Sequence, residues 1–195
     1  IIWQEKGSFE KLGQEEGKSL WGQEEISKNS RGKGKGKLQE KIETEVVVIG
    51  AGLAGVLIAY HLQEEGIPVV VLENNKAGWG ITKNTTAKIS SQHGLIYRKL
   101  LLYSGEKKAR LYAKANQDAI RRYEEIISNL NIDCDYEVLP SYVYSLDNES
   151  KIRKEVETAR RLGLPATFTL DTSLPFKVKG AVKFDKQAQF HPLKF

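Results

Sequence analysis

Hydrophobic positions change period several times along the chain, and the changes divide it into elements. Val46–Val47–Val48–Ile49 is a continuous β-branched run, the pattern of a strand buried on both faces. It feeds directly into Gly50-Ala51-Gly52-Leu53-Ala54-Gly55. Beyond that turn Leu53, Val56, Leu57 and Tyr60 recur at helical spacing, and Gly66 stands where the helix would end. Pro68 opens a second apolar run that closes on Glu73. Strand, glycine turn, helix, strand and acid in this order predict a βαβ unit over 45–73.

Downstream the pattern becomes helical for longer. Ala109, Tyr112, Ala113, Asn116, Ala119, Ile120, Tyr123, Ile126, Ile127 and Leu130 follow 3, 4 spacing, so a long amphipathic helix is expected over 105–130. Residues 134–137 and 141–146 read as two strands of a hairpin with Pro140 in or beside the turn. A second amphipathic helix is expected over 149–162, ended by Gly163 and Pro165. Short strands are expected at 167–170, 176–179 and 181–185. Between Glu73 and the long helix, small and hydroxyl-bearing residues dominate. That stretch suits a backbone lying against a ligand, or equally a surface loop and a short helix capped by Asn84 or Thr85.

Residues 1–43 show neither period. They are rich in Gln, Glu, Lys and Gly, and Arg31-Gly32-Lys33-Gly34-Lys35-Gly36-Lys37 is the most biased run. A flexible polar and basic segment is expected there, followed by a domain over 44–195. No aromatic residue interleaves those lysines, and the net charge is only +5, so nucleic acid is not an expected partner. No apolar run reaches the ~20 residues of a membrane span, and no signal peptide is legible. The single cysteine, Cys134, fits a reducing compartment, and a cytoplasmic location is expected. One cysteine also excludes a Cys-rich metal centre built within this stretch alone. The absence of methionine and the closing His191-Pro192-Leu193-Lys194-Phe195 read as part of a longer chain, a fragment incomplete for catalysis.

The chemistry sits in the glycine turn. Gly50 permits the tight exit from the strand, Gly52 lets a pyrophosphate approach the backbone, and Gly55 lets the helix pack on the sheet. The helix start, at Leu53 and Ala54, offers unpaired N–H groups and a partial positive charge. Glu73, 18 positions after Gly55, stands where a carboxylate accepts from a ribose diol. The pattern therefore points to a dinucleotide.

With Gly78-Trp79-Gly80-Ile81-Thr82 and Thr85-Thr86-Ala87-Lys88-Ile89 added, residues 45–195 resemble FAD-dependent oxidoreductases of the D-amino-acid-oxidase and glycine-oxidase type, the DAO family. The stretch Asn84 to Tyr97 is similar to a subset carrying a Rieske iron–sulfur domain at its far end. The resemblance implies an α/β fold, a Rossmann-like FAD-binding βαβ start plus part of a mixed α+β substrate domain. It implies FAD held at Gly50, Gly52, Leu53, Ala54, Gly55 and Glu73, with Thr85 and Thr86 on the pyrophosphate and flavin side. It also implies a Rieske [2Fe-2S] cluster in a further domain downstream. The implied reaction oxidises a small-molecule amine or amino acid by hydride transfer to flavin N5. Neither a catalytic residue nor the electron acceptor is identified. Some relatives tether FAD through histidine, but His93 is displaced from that position, and a helix-cap or polar packing role is expected for it.

Two other classes stay open on the sequence. An NAD-dependent Rossmann dehydrogenase would use the same glycines, and Glu73 would favour NAD over NADP. The third is a non-catalytic binding module led by the basic tail.

Overall fold

The computed structural model describes residues 2–4 and 41–195, so the flexible segment expected over 1–43 lies almost wholly outside the described residues, and its basic run entirely so. These residues fall into two compact units, one of 2–4 with 87–190 and one of 41–86 with 191–195. No helix among them is long and apolar enough to cross a membrane.

The second unit contains the βαβ motif. Strand β2 (Val46–Ile49) pairs in parallel with β3 (Val69–Leu72), and α1 (Leu53–Glu64) connects them. The helix ends as expected, with Gly66 N–H donating to Gln63 and Ile67 N–H to Leu62. Leu53, Leu57 and Tyr60 are half-buried, whereas Val56 is exposed. One face of the strand pair carries α1. On the other, Val47 and Ile49 are 51% and 88% exposed.

The first unit is built on a five-stranded sheet. Strand β1 (Ile2–Gln4) runs parallel to β5 (Glu137–Ser145), which is antiparallel to β7 (Gly180–Gln189). The other edge of β7 is shared by β6 (Ala166–Thr169) and the two-residue β4 (Lys88–Ile89). Helices α2 (Tyr97–Asn129) and α3 (Glu149–Arg161) supply the rest of the core, in which Tyr97 stacks on Phe184 with Ile152, Val156 and Val182 close by.

Three sequence expectations need correction. Residues 134–146 are not a hairpin: β5 is one strand and its partner is β7. Pro140 has no N–H to give, and it sits where the ladder slips, Leu139 facing Gln187 and Ser141 facing Phe184. Asp185 and Lys186 fill the gap on β7, Lys186 with φ 54°. The expected strand 181–185 is part of this longer β7, and 176–179 is not a strand.

The helix expected over 105–130 is present, but a further helical stretch that begins at Tyr97 precedes it within α2. Gly105 (φ 77°, ψ 163°) separates the two, in a conformation that strongly favours glycine. The start was illegible because its cap comes from elsewhere: Glu155 on α3 accepts from Tyr97 N–H at 2.7 Å and Arg98 N–H at 3.0 Å. Burial raises the Glu155 carboxyl above its ordinary range, although those two N–H groups pull it down. By contrast α3 carries its own local cap, Asn148, whose Oδ1 accepts from Lys151 N–H. The third correction is the short helix capped by Asn84 or Thr85, which is instead a single 3-10 turn, Thr82–Asn84.

Candidate functional site at the glycine turn

The turn after β2 is braced by hydrogen bonds from the end of β3 and from the loop beyond it. Gly50, at φ +99°, donates to Leu72 O at 2.7 Å, which carries the chain out of β2 while still tied to β3. Ala51 N–H donates to Glu73 Oε2 at 2.9 Å, and Ala51 O accepts from Gly78 N–H at 2.8 Å. Gly52 occupies the N-cap of α1 without a side-chain cap. Leu53 N–H is accepted by Thr82 Oγ1 at 2.9 Å. The N–H groups of Gly52, Ala54 and Gly55 have no acceptor among the described residues.

The two later glycines differ in what they make room for. A Cβ at Gly52 would meet only Thr82 Oγ1, at 3.4 Å, so the space over that residue is open. A Cβ at Gly55 would lie 1.9 Å from Gly50 O, so this glycine allows the helix to touch the turn. An anion seated at Gly52 would meet free N–H donors at the positive end of a helix, which is the chemistry a pyrophosphate needs.

Glu73 is already engaged. Besides Ala51 it accepts from Asn75 N–H at 2.8 Å through its other oxygen. These N–H groups, Asn75 first, hold its carboxyl below the usual range, so it is a carboxylate at neutral pH. Each oxygen keeps lone pairs for a ribose hydroxyl.

The structure places the threonines unequally. Thr82 reaches the turn, and the sequence reading gave it no individual role. Thr85 is half-buried at the end of the 3-10 turn, and Thr86 is exposed. Its distance from the glycines in the chain carries no hint of the Thr82 contact. In the same loop, the half-exposed ring of Trp79 has Lys83 Nζ 3.7 Å and Lys76 Nζ 5.2 Å from its centroid.

In the other unit His93 Nε2 lies 3.2 Å from Asn116 Oδ1, with its ring edge-on to Tyr112. Asn116 donates to Tyr112 O through Nδ2, so its Oδ1 is turned to accept from the histidine. This is polar packing rather than a helix cap. Cys134 is buried, and burial, with the nearby Asp135 and Asp133, pushes its thiol up, away from a reactive thiolate.

After β3 the chain does not continue into a second helix and parallel strand, as a simple NAD domain would. It enters the 3-10 turn and then β4, an antiparallel strand of the other unit.

Comparison with known proteins agrees with this topology. The family model described as FAD dependent oxidoreductase, DAO, matches residues 45–195. A Bacillus subtilis (strain 168) protein with the provisional name Rieske 2Fe-2S iron–sulfur protein YhfW is 38% identical over 160 residues, covering 81% of this chain and 31% of its own length. Gamma-glutamylputrescine oxidoreductase of Escherichia coli (strain K12) is 27% identical, covering 70% of this chain and 32% of its own. The chain thus spans about a third of the curated relatives it matches. In fold it is similar to L-amino acid deaminase from Proteus vulgaris, with TM-score 0.59 and 20% identity over 78% of this chain and 36% of that one. L-proline dehydrogenase from P. horikoshii gives TM-score 0.57 and 20% identity over 80% and 40%. The α/β architecture, the glycine turn and the family match agree, and the chain belongs to the DAO family of FAD-dependent oxidoreductases.

Proposed function

We propose that the protein is a flavoenzyme that oxidises a small amine or amino acid, and that the glycine turn of this chain holds the adenosine side of FAD. The observation that carries the reading is the open N–H cluster at Gly52, Ala54 and Gly55 beside a deprotonated Glu73, within a DAO-family chain. Gly50 shapes the turn, Gly52, Ala54 and Gly55 donate to pyrophosphate oxygens, and Glu73 accepts from the ribose. Leu53 is set by Thr82. Thr85 and Thr86 add hydroxyl donors on the pyrophosphate and flavin side. When bound, FAD would supply a two-electron acceptor at N5 for a hydride from the carbon beside an uncharged amine, which would leave a protonated imine.

The amine class is supported by the name of the Escherichia coli relative, a gamma-glutamylputrescine oxidoreductase. The name of the Bacillus relative supports a Rieske [2Fe-2S] cluster in a downstream domain of the whole protein. Anaerobic addition of a panel of amines and amino acids to the purified full-length protein should bleach its flavin absorbance with at least one of them. A colourless protein, or a yellow one that none of them bleaches, would overturn the proposal.

Glu73 gives a sharper test. Glu73→Ala removes the ribose acceptor together with the clamp on Ala51 and Asn75, and should weaken FAD binding about 10- to 150-fold in a titration of the apoprotein. The clamp has a pH signature. Because the folded carboxyl lies below its ordinary value, its stabilisation is present above the ordinary carboxylate range and is lost as pH falls through the depressed value. The thermal midpoint of wild type should exceed that of Glu73→Gln at neutral pH, and the difference should close in acid. A difference constant with pH would show that the clamp is not the charged group described.

A further inference from the structure

The unit that contains the glycine turn draws on residues from far along the chain, since 41–86 are grouped with 191–195. His191 and Pro192 are buried, and Leu193 is half-buried. The turn they form is wound on His191 through both its side chain and its main chain. Its Nδ1 accepts from Leu193 N–H at 3.3 Å and from Lys194 N–H at 3.2 Å. Its carbonyl accepts from Lys194 N–H at 3.2 Å and from Phe195 N–H at 3.1 Å. Pro192 has no N–H to satisfy. Because Nδ1 receives N–H groups, it is the ring nitrogen that carries no proton.

Leu193, whose N–H the imidazole holds, packs on Gly78. A Cβ at Gly78 would lie 3.0 Å from Leu193 Cδ2, and Gly78 stands at φ +72°, so space and backbone both require glycine there. Every residue from Glu73 to Ile81 is exposed except Gly78, which is half-buried. The large apolar side chains of this loop, Trp79 and Ile81, are 47% and 87% exposed and give it no core of its own. Leu193 therefore supplies an apolar contact at the one point where the loop is covered. That point is also where the loop is tied to the glycine turn. Gly78 N–H donates to Ala51 O at 2.8 Å, and Gly78 O accepts from Lys83 N–H at 3.1 Å. The residue before Lys83 is Thr82, whose Oγ1 accepts from Leu53 N–H at 2.9 Å.

We propose that His191 is a positioning residue for the dinucleotide seat. By accepting at Nδ1 it sets Leu193 against Gly78, and so holds the loop beyond β3 where Gly78 and Thr82 bond the glycine turn. The proposal rests on the reading given above that this turn binds FAD. The imidazole acts through Leu193 and is assigned no contact with cofactor or substrate.

The test compares His191→Leu, His191→Asn and Ile152→Ala in the full-length protein. Asparagine offers an Oδ1 that can accept from N–H groups two and three residues on, as Nδ1 does, whereas leucine cannot. Ile152 is fully buried in the other unit. The readouts are the FAD dissociation constant of the apoprotein, hydrogen exchange at the Gly78 amide of the apoprotein, and the thermal midpoint. His191→Leu should weaken FAD binding about tenfold and speed Gly78 exchange. His191→Asn should restore both to within about threefold of wild type. Ile152→Ala should lower the midpoint, leaving the FAD constant within about twofold and Gly78 exchange unchanged. Should His191→Leu fail to fold, Leu193→Ala keeps the imidazole bonds and removes the contact with Gly78. It should speed Gly78 exchange and weaken FAD about threefold. Asparagine no better than leucine, or Gly78 exchange unmoved by His191→Leu or Leu193→Ala, would overturn the positioning role and leave the functional reading intact. A wild-type protein that binds no flavin would overturn both.

Discussion

Gly55→Ala is expected to cost the βαβ unit about 1–3 kcal/mol or more and to abolish flavin retention. A single added methyl is placed 1.9 Å from Gly50 O, with Val48 Cγ1 at 3.3 Å behind it. The obstacle is backbone, which cannot rotate aside as a side chain would. To relieve the clash, α1 must lift from β2 or the Gly50 peptide must turn. The first loses the packing of α1 on the strands, and the second breaks the Gly50 N–H bond to Leu72 O. Either displaces the N–H groups at the helix start. Gly80→Ala serves as the comparison, since a Cβ there meets nothing within 4 Å and should leave the midpoint unchanged. Denaturant unfolding and bound-flavin absorbance measure both effects. A Gly55→Ala protein as stable and as yellow as wild type would refute the close approach.

Gly52→Val should separate binding from folding. Gly52 has φ −76° and ψ 177°, ordinary extended values for valine, and its Cβ would make only a van der Waals contact with Thr82. The fold should survive with a thermal midpoint within a few degrees of wild type. The branched carbons would stand over the open N–H groups, where the pyrophosphate must approach. Flavin content should fall below about a tenth of wild type. Equal flavin content in the two proteins would sink the assignment of this turn as the phosphate seat. The pair of mutations therefore distinguishes a glycine required by the protein from one required by its ligand.

The features legible in the sequence are those whose causes lie close together in the chain. The βαβ unit could be read because the apolar runs, the turn and Gly66 are neighbours in the chain. Glu73 stood out because its distance from the glycine turn follows from one helix and two strands. The helical stretch from Tyr97 was missed because its cap, Glu155, lies far along the chain, and the break at Gly105 divides it from the helix that could be read. Pro140 suggested a turn, which is its commonest use; only the β7 partner shows that it marks a slip in a ladder instead. Thr82 was invisible as a contributor for the same reason. A hydroxyl carries no sequence signal for a partner that only the tertiary fold supplies.

The layout of the five-stranded sheet also has a kinetic consequence. The strands of the βαβ unit pair within one short stretch, whereas Lys88 and Ile89 meet Gln189 and Ala188, about a hundred residues later. β7 is bonded along one edge by β5 and along the other by β6 and β4, and it is synthesised after all three. On a ribosome the βαβ unit can form early, while the buried Ser91 and Gln92 wait for β7, where Ser91 N–H donates to Gln187 Oε1 and the Gln92 side chain to Val182 O. Until then they remain hydrated, and the threonine-rich stretch has no fixed end. Closure of this unit is thereby ordered after the emergence of β7, so protection of the Ser91 and Gln92 amides in nascent chains should appear in one late step rather than gradually.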